Sequence, residues 1–528
     1  MKTIIQILTL IFINFSVYAQ FQQNWVARHE DNNSVKCGKN IGLDQYGNVY
    51  YTGKSNVGFS GDIVTIKYNS AGVEQWAQTY NSANDDGIAL AVDYFTGDVY
   101  VLGQISNGPK IFVTIKYNTN GIQQWVNLAG AQEGYPQAIT LDQYSNVYIT
   151  GGDQLLSGND YYLTVKYNSS GVQQWYSRYR DNDFSRDFSK DIAVDDLGNV
   201  YVTGESLFDY VTVKYNAYGI LEWSSTYDRS NSIDIANSID VYSGSVYITG
   251  KSPLNITKYS DFDPRAIFVN GFATVKYNSN GVQQWVARYD NPNFTHSSGG
   301  KLIVKQIDDY RDESIYVTGN DNDNITTICY SSTGTIRWSN TYTNARPSSL
   351  AIDANGHAYI SGFTVPLNSS NFLTLQYNLN GQLIWSDIYD GPANLQDETN
   401  SIRIDQSGNN LYVFGFSTSN STSSDFTLIK YNRSSDNGDS FVNSSLNNYP
   451  NPFNPITKIS FNLLQEGFIT LKIFNILGEE IKTLIYNEYR KKGTHNIEFN
   501  AQNLPSGVYF YKLISNGNIQ TQKMLLLK

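Results

Sequence analysis

Along most of the chain, Val, Ile, Thr and Tyr alternate with polar residues in short runs, and Gly, Asn, Asp and Ser interrupt the runs. A period of two buries one face of a strand and solvates the other, and no window has a helical period of useful length. The fourth occurrence shows the unit: strand a over 190–195, b over 199–203, c over 210–215 and d over 220–227. Asp195, Gly198 and Asn199 make the a-to-b turn, and Asn216 and Gly219 the c-to-d turn. Asp and Asn bond nearby backbone amides there, while Gly accepts positive φ.

The unit recurs eight times, with Tyr-x-Thr-Gly on strand b, Lys-Tyr-Asn on strand c and Trp on strand d; a few copies depart at one anchor, such as Leu102 before Gly103 and Gln376 before Tyr377. The tryptophans stand at 25, 76, 125, 175, 223, 285, 338 and 385, in steps of 51, 49, 50, 48, 62, 53 and 47 residues. A fixed step near fifty is one supersecondary unit repeated, here a four-stranded antiparallel sheet of propeller-blade size. The chain opens on a lone strand d carrying Trp25 and ends its repeats on strands a to c, 402–431. Pairing these two pieces gives an all-β, eight-bladed β-propeller over 20–432, the N-terminal strand closing the last blade. Such a ring removes the free edges that an open solenoid, the alternative, leaves exposed. Eight tryptophans at one blade position read as packing between blades.

The segments GNVYYTGKS (47–55), VTIKYNSAG (64–72) and GNVYVTGES (198–206) resemble the SBBP repeat of bacterial secreted and surface proteins. The resemblance implies a propeller. That family's name refers to seven blades, where the count in this sequence is eight.

Composition refines the picture. A net charge of −11 argues against nucleic acid or an anionic membrane as partner. Lys2, the apolar run 4–15 and Val17-Tyr18-Ala19 form a signal peptide, 1–19, with cleavage after Ala19. That run is too short to span a bilayer, and no later segment approaches the required length. Cys37 and Cys329 lie several units apart and read as two buried free thiols, although export permits a disulfide.

Residues 433–447 read as a linker of Ser, Asn, Asp and Gly, and the period breaks after them. Strands at 457–463, 468–475, 480–485, 493–499 and 507–515 predict a small β-sandwich over 448–528. In order, YPNPFNP (449–455), LKIFNILGEEIKTL (471–484), GTHNIEF (493–499), LPSGVYFYKL (504–513) and KMLLLK (523–528) closely resemble the type IX (Por) secretion system C-terminal sorting domain. That resemblance implies Sec export, engagement of the type IX machinery and removal of the tail at the surface. The product is then released or attached to lipopolysaccharide.

Chemistry is sparse. Asp44, Asp93, Asp142, Asp195, Asp240, Asp308, Asp353 and Asp405 repeat with the unit and read as formers of the a-to-b turn. His29, His296, His357 and His495 have no metal spacing, and no nucleophile elbow, zinc motif or phosphate loop occurs. No cofactor is expected. Asp321 and Asp323 are calcium candidates in an Asp-rich loop, with a solvated turn as the alternative. The b-to-c and d-to-a loops share one face and vary most, which marks that face for binding. The loop between Gly250 and Thr274 is the longest and carries Tyr259, Phe262, Asp263 and Arg265, suited to a sugar or protein, or else a neutral insertion. The reading is a secreted or surface, non-catalytic propeller binding a polysaccharide or protein. Its alternatives are a polysaccharide hydrolase or lyase, or a surface-layer component.

Overall fold

The computed structural model describes residues 21–528 except 30–34, 58–59, 82–83, 107, 131–132, 156–159, 182–186, 230–232, 256–267, 270, 291–296, 308–311, 367–368, 419–423, 434–446, 464–466, 476–479, 492 and 516–517. No helix among the described residues is long and apolar enough to cross a membrane. The chain divides into two compact units, Gln22–Asn432 and one containing Arg433–Lys528.

In the larger unit the strands form four-stranded antiparallel meanders, such as Val35–Leu43, Val49–Val57, Ser60–Tyr68 and Glu74–Tyr80. Two neighbouring meanders are joined by one parallel pairing, Glu133 with Lys110. The last meander borrows its fourth strand: Phe21–His29 pairs with Ser424–Arg433, followed inward by Asn410–Thr418 and Asp397–Ile404. The innermost strands are Val35–Leu43, Asp85–Val92, Glu133–Leu141, Asp187–Val194, Ile235–Tyr242, Ser297–Gln306, Ala345–Ile352 and Asp397–Ile404. Each packs beside the next, and Asp397–Ile404 packs beside Val35–Leu43, so the circle closes. The joint is apolar: Ile41, Tyr51, Ile66, Phe414, Phe426 and Leu428 share one buried cluster.

Each sequence anchor has a physical cause. Strand a carries a bulge, for instance between Ser189 and Asp191 or between Ala236 and Ser238. The bulge pushes a carbonyl against strand b, and a Cβ on Gly204 or Gly250 would run into the carbonyl oxygen of Phe188 or Ile235. The Thr before that Gly faces the Thr of strand c, with hydroxyls 2.9 Å apart at Thr203 and Thr212 and 3.3 Å apart at Thr249 and Thr274. These buried hydroxyls satisfy one another across neighbouring strands of one sheet.

The smaller unit has two sheets. One pairs Asn447–Tyr449, Ile456–Leu463 and Gly493–Asn500, and the other Glu480–Arg490, Gly467–Phe474, Gly507–Ser515 and Asn518–Leu526. Phe453, Phe461, Leu471, Ile473, Tyr511 and Met524 belong to one buried cluster between them. The first and last strands go beyond the five expected from the sequence.

Candidate functional site

The turn carboxylates are fully engaged. Asp195 Oδ1 accepts from the amides of Leu197 (3.0 Å) and Asn199 (2.9 Å), and Oδ2 from Asn199 Nδ2 (2.8 Å) and the Tyr201 hydroxyl (3.0 Å). Asp44 and Asp142 repeat the set. His357 stands in for Asn in its unit, with Nδ1 2.9 Å from Asp353 Oδ2. Burial opposes charge on Asp353, but the hydrogen bonds from His357 and Tyr359 outweigh it and hold the carboxyl below its usual range. Asp308 lies outside the described residues.

Asp240 departs from the expectation: it lies within Ile235–Tyr242, and the turn there is Ser243-Gly244, both at positive φ (48° and 75°). Val241 and Tyr242 continue the strand past the point where an Asp turn would have ended it. The Asp240 carboxylate instead reaches the next inner strand, Oδ2 accepting from Val304 N at 2.8 Å. Burial pushes its carboxyl up to about 6, with Asp191 adding repulsion and the amides of Val304 and Val241 opposing.

Asp240 belongs to a wider device. Innermost strands have an unpaired edge, and an unpaired buried amide is costly. Side chains of one strand serve the next: Asn40 brackets Leu90 through its carbonyl (2.7 Å) and amide (3.0 Å), Ser401 Oγ accepts from Ile41 N, and Arg403 Nε donates to the Ile41 carbonyl at 3.3 Å. The position opposite the strand-b Tyr is Gly42, Ala91, Thr140 and Ala193 on four strands, but Asp240 and Arg403 on two others. Beside the small residues a cavity of about 540 Å³ opens, walled by Leu43, Val92, Leu141 and Ile404 and reaching Gln45, Tyr94, Gln406 and Ser407 at the a-to-b turns. Arg403 lines it.

The opposite face carries an acidic cluster that the sequence did not reveal. Carboxylate oxygens of Asp209, Asp228 and Asp234, from a strand c and a d-to-a loop, lie within 4.8 Å of one another. Burial, then repulsion from Asp228, Asp234 and Asp181, pushes Asp209 up to about 7. Burial raises Asp234 to about 6 against hydrogen bonds from Ser252 and the Arg229 amide. Three oxygen donors at this spacing are chemically suited to a hard cation. Beside them Arg229 forms a two-point pair with Asp290 (2.5 and 2.9 Å) and donates to the Ser252 carbonyl, at the base of the long loop. The b-to-c turn above the cluster is Leu207-Phe208, with φ of 48° and 71° and exposures of 44% and 46%. Bulky side chains rarely adopt such backbone.

Of the residues picked from the sequence, Tyr259, Phe262, Asp263 and Arg265 fall outside the described residues. Asp321 precedes the two-residue turn Asn322-Asp323, and the two carboxylates take different partners. Asp321 Oδ2 accepts from the Tyr289 hydroxyl (2.8 Å), and Asp323 pairs with Arg346 (2.5 Å). Cys329 is a buried free thiol.

Residues 447–527 match the family model described as a secretion system C-terminal sorting domain. Residues 25–60 and 183–210 match the model of a beta-propeller repeat. No curated protein matches the chain. Two crystal structures of Sqt1 from Chaetomium thermophilum are similar. One has a TM-score of 0.52 at 10% identity over 79% of this chain and 99% of that one. The other has 0.50 at 9% over 78% and 100%. The structure of a Dos1 propeller scores 0.48 at 8% identity, over 78% and 95%. The repeat-model match, the four-stranded sheets and the likeness to the two Sqt1 structures show the fold: a β-propeller. With the sorting domain, they mark a secreted or cell-surface propeller protein.

Proposed function

We propose that the chain is an eight-bladed propeller, residues 20–432, that binds a polysaccharide or protein outside the cell and does not turn it over. A signal peptide, 1–19, cleaved after Ala19, and a β-sandwich tail, 448–528, handed to the type IX machinery after the 433–447 linker, would take it there. The closed circle of inner strands supports the blade number, and two sheets on one apolar core support the sandwich.

The observation carrying the binding reading is the Leu207-Phe208 turn. Asn-Gly would fit this two-residue hairpin without strain, so exposed Leu and Phe cost stability while presenting an apolar tip next to carboxylates. Strain kept at an exposed position is an observed outlier from which function can be argued. The test is the double variant Leu207→Asn/Phe208→Gly on a glycan array and on extracellular matrix proteins. It should unfold at higher urea than the parent yet lose binding. Retained binding would move the site elsewhere.

Asp240 supports a second reading, a hydrolase or lyase acting in the channel. A carboxyl raised to about 6 is suited to general acid work near neutrality. A polysaccharide turnover screen separates the two, since robust turnover abolished by Asp240→Asn would replace binding with catalysis.

A further inference from the structure

The central cavity carries a separate assignment, independent of the loop face. Around it, the position opposite the strand-b Tyr is filled by Gly42, Ala91 and Thr140, whose short side chains leave the space open, and on the adjoining strand by Arg403. Arg403 is an exposed residue of an innermost strand and lines the cavity. Its one hydrogen bond among the described residues runs from Nε to the Ile41 carbonyl at 3.3 Å, and no carboxylate among them pairs with it. The two acids that line the cavity, Asp44 and Asp405, are occupied by their own turns: Asp44 by Tyr46, Asn48 and Tyr50, Asp405 by Ser407, Asn409 and Asn410. Burial draws the Arg403 pKa below the ordinary arginine range, but a guanidinium still keeps its proton.

A charged fork lining a cavity of mixed polar and apolar wall is an arrangement that recognises a planar or tetrahedral oxyanion by two parallel hydrogen bonds. We infer that Arg403 makes the channel a binding site for a small organic oxyanion, a carboxylate or a sulfate or phosphate ester on a weakly polar body, admitted at the a-to-b turn face. The volume, about 540 Å³, suits a molecule of one or two sugar rings. The apolar part of the wall, Leu43, Val92, Leu141 and Ile404, favours such a body over a bare inorganic ion, and Asn40, Thr140 and Ser407 in the same lining suit its polar groups.

Thermal shift and calorimetric titration of the full chain with D-glucuronate, glucose 6-sulfate, glucose 6-phosphate and uncharged glucose test this. At least one anion should bind and glucose should not, the responding anion telling carboxylate from ester. Arg403→Met should weaken that binding about tenfold to a hundredfold, the worth of a charged hydrogen bond or two, and Arg403→Lys should restore part of it. Thr140→Leu, which fills the cavity and leaves Arg403 in place, should weaken it as well, so the result does not hang on one variant's folding. Equal binding in parent, Arg403→Met and Thr140→Leu, or no anion binding at millimolar concentration, would overturn the assignment.

Discussion

The indole Nε1 of Trp25 donates to the carbonyl oxygen of Ser70 at 3.2 Å, tying the first strand to a turn of the first complete sheet. Lys430 Nζ donates to the same oxygen at 2.9 Å from the other end of the ring. Every intact joint uses this latch: Trp76 and Lys67 share Thr119, Trp125 and Lys116 share Ser169, and Trp285 and Lys276 share Ser332. The Gly of the receiving turn lies under the indole, since a Cβ on Gly72 would come 2.6 Å from Trp25 Cδ2. Trp and Lys-Tyr-Asn therefore recur as a pair because one clasps and the other charges a single carbonyl.

The ring should depend on its closing joint. Trp25→Ala removes a half-buried indole, its hydrogen bond and the lid over Gly72, at a cost of about 3 kcal/mol. Gly72→Ala keeps every bond but places a Cβ at φ +80° against the indole, costing on the order of 1–3 kcal/mol. Urea unfolding of both against a matched change at an interior joint, Trp125→Ala, measures this. Equal stability of parent and Trp25→Ala would mean that the first strand does not close the ring.

Two joints lack the latch's lysine, with Gln376 in its place at one and Cys329 at the other. At the Cys329 joint Trp338 Nε1 is buried and has no hydrogen-bond partner among the described residues. Burial pushes the Cys329 thiol up to about 12, so only about one molecule in ten thousand carries thiolate at pH 8. In a Cys37→Ser background, iodoacetamide should label Cys329 only on unfolding, at the global unfolding rate. Rapid native labelling would show that this sheet opens by itself.

Much of this was legible. The Asp-x-x-Gly-Asn-x-Tyr run states its own hydrogen-bond plan, which Asp195, Asn199 and Tyr201 carry out, and the orphan pieces at both ends pointed to the borrowed strand. Asp240 misled because Asp-x-x-x-Gly fits it as well as Asp93, whose carboxylate does accept from Phe95 and Thr96. The signal that separates them is Val241-Tyr242, two strand formers ahead of a Ser-Gly turn. The Asp209, Asp228 and Asp234 cluster had no local signature, because it is assembled by pairing and packing of separate segments. Arg403 was hidden among strand positions until register placed it opposite Tyr412, at the level of Gly42, Ala91 and Thr140.

That cluster predicts an inverted pH response. Asp209 and Asp234 have folded values of about 7 and 6, above their unfolded value near 3.8, so the folded state holds protons that the unfolded state releases. Stability from these groups is greatest below about pH 4 and falls as pH rises toward 7. Asp353, shifted the other way, contributes stability that is lost in acid. Facing the cluster, Asp181 adds repulsion and Arg229 attraction. Asp209→Asn should raise the urea midpoint at pH 8 and leave it nearly unchanged at pH 4. A larger gain at the lower pH would refute the assignment of these shifts.

The tail offers the sharpest link from motif to export. Its first and last signature blocks hold one another: Phe453 N donates to the Leu525 carbonyl (2.9 Å), Leu527 N to the Phe453 carbonyl (3.0 Å), and Leu525 N to Asn451 Oδ1 (2.9 Å). Phe453, Met524 and Leu526 are buried together in the cluster shared by the two sheets. Removing 523–528 strips that core and leaves residues 507–510 of the neighbouring strand unpaired, whereas Lys528→Ala costs only the Nζ hydrogen bond to the Gln502 carbonyl and keeps the backbone bond to Ser506. Phe453→Ala should destabilise the tail by about 3–5 kcal/mol, enough to unfold most small domains. If the machinery reads the folded tail, both Phe453→Ala and the truncation should retain the chain in the periplasm, and Lys528→Ala should be exported normally. Export of Phe453→Ala at the parental level, with the tail shown unfolded by protease digestion, would mean that recognition uses a linear segment instead.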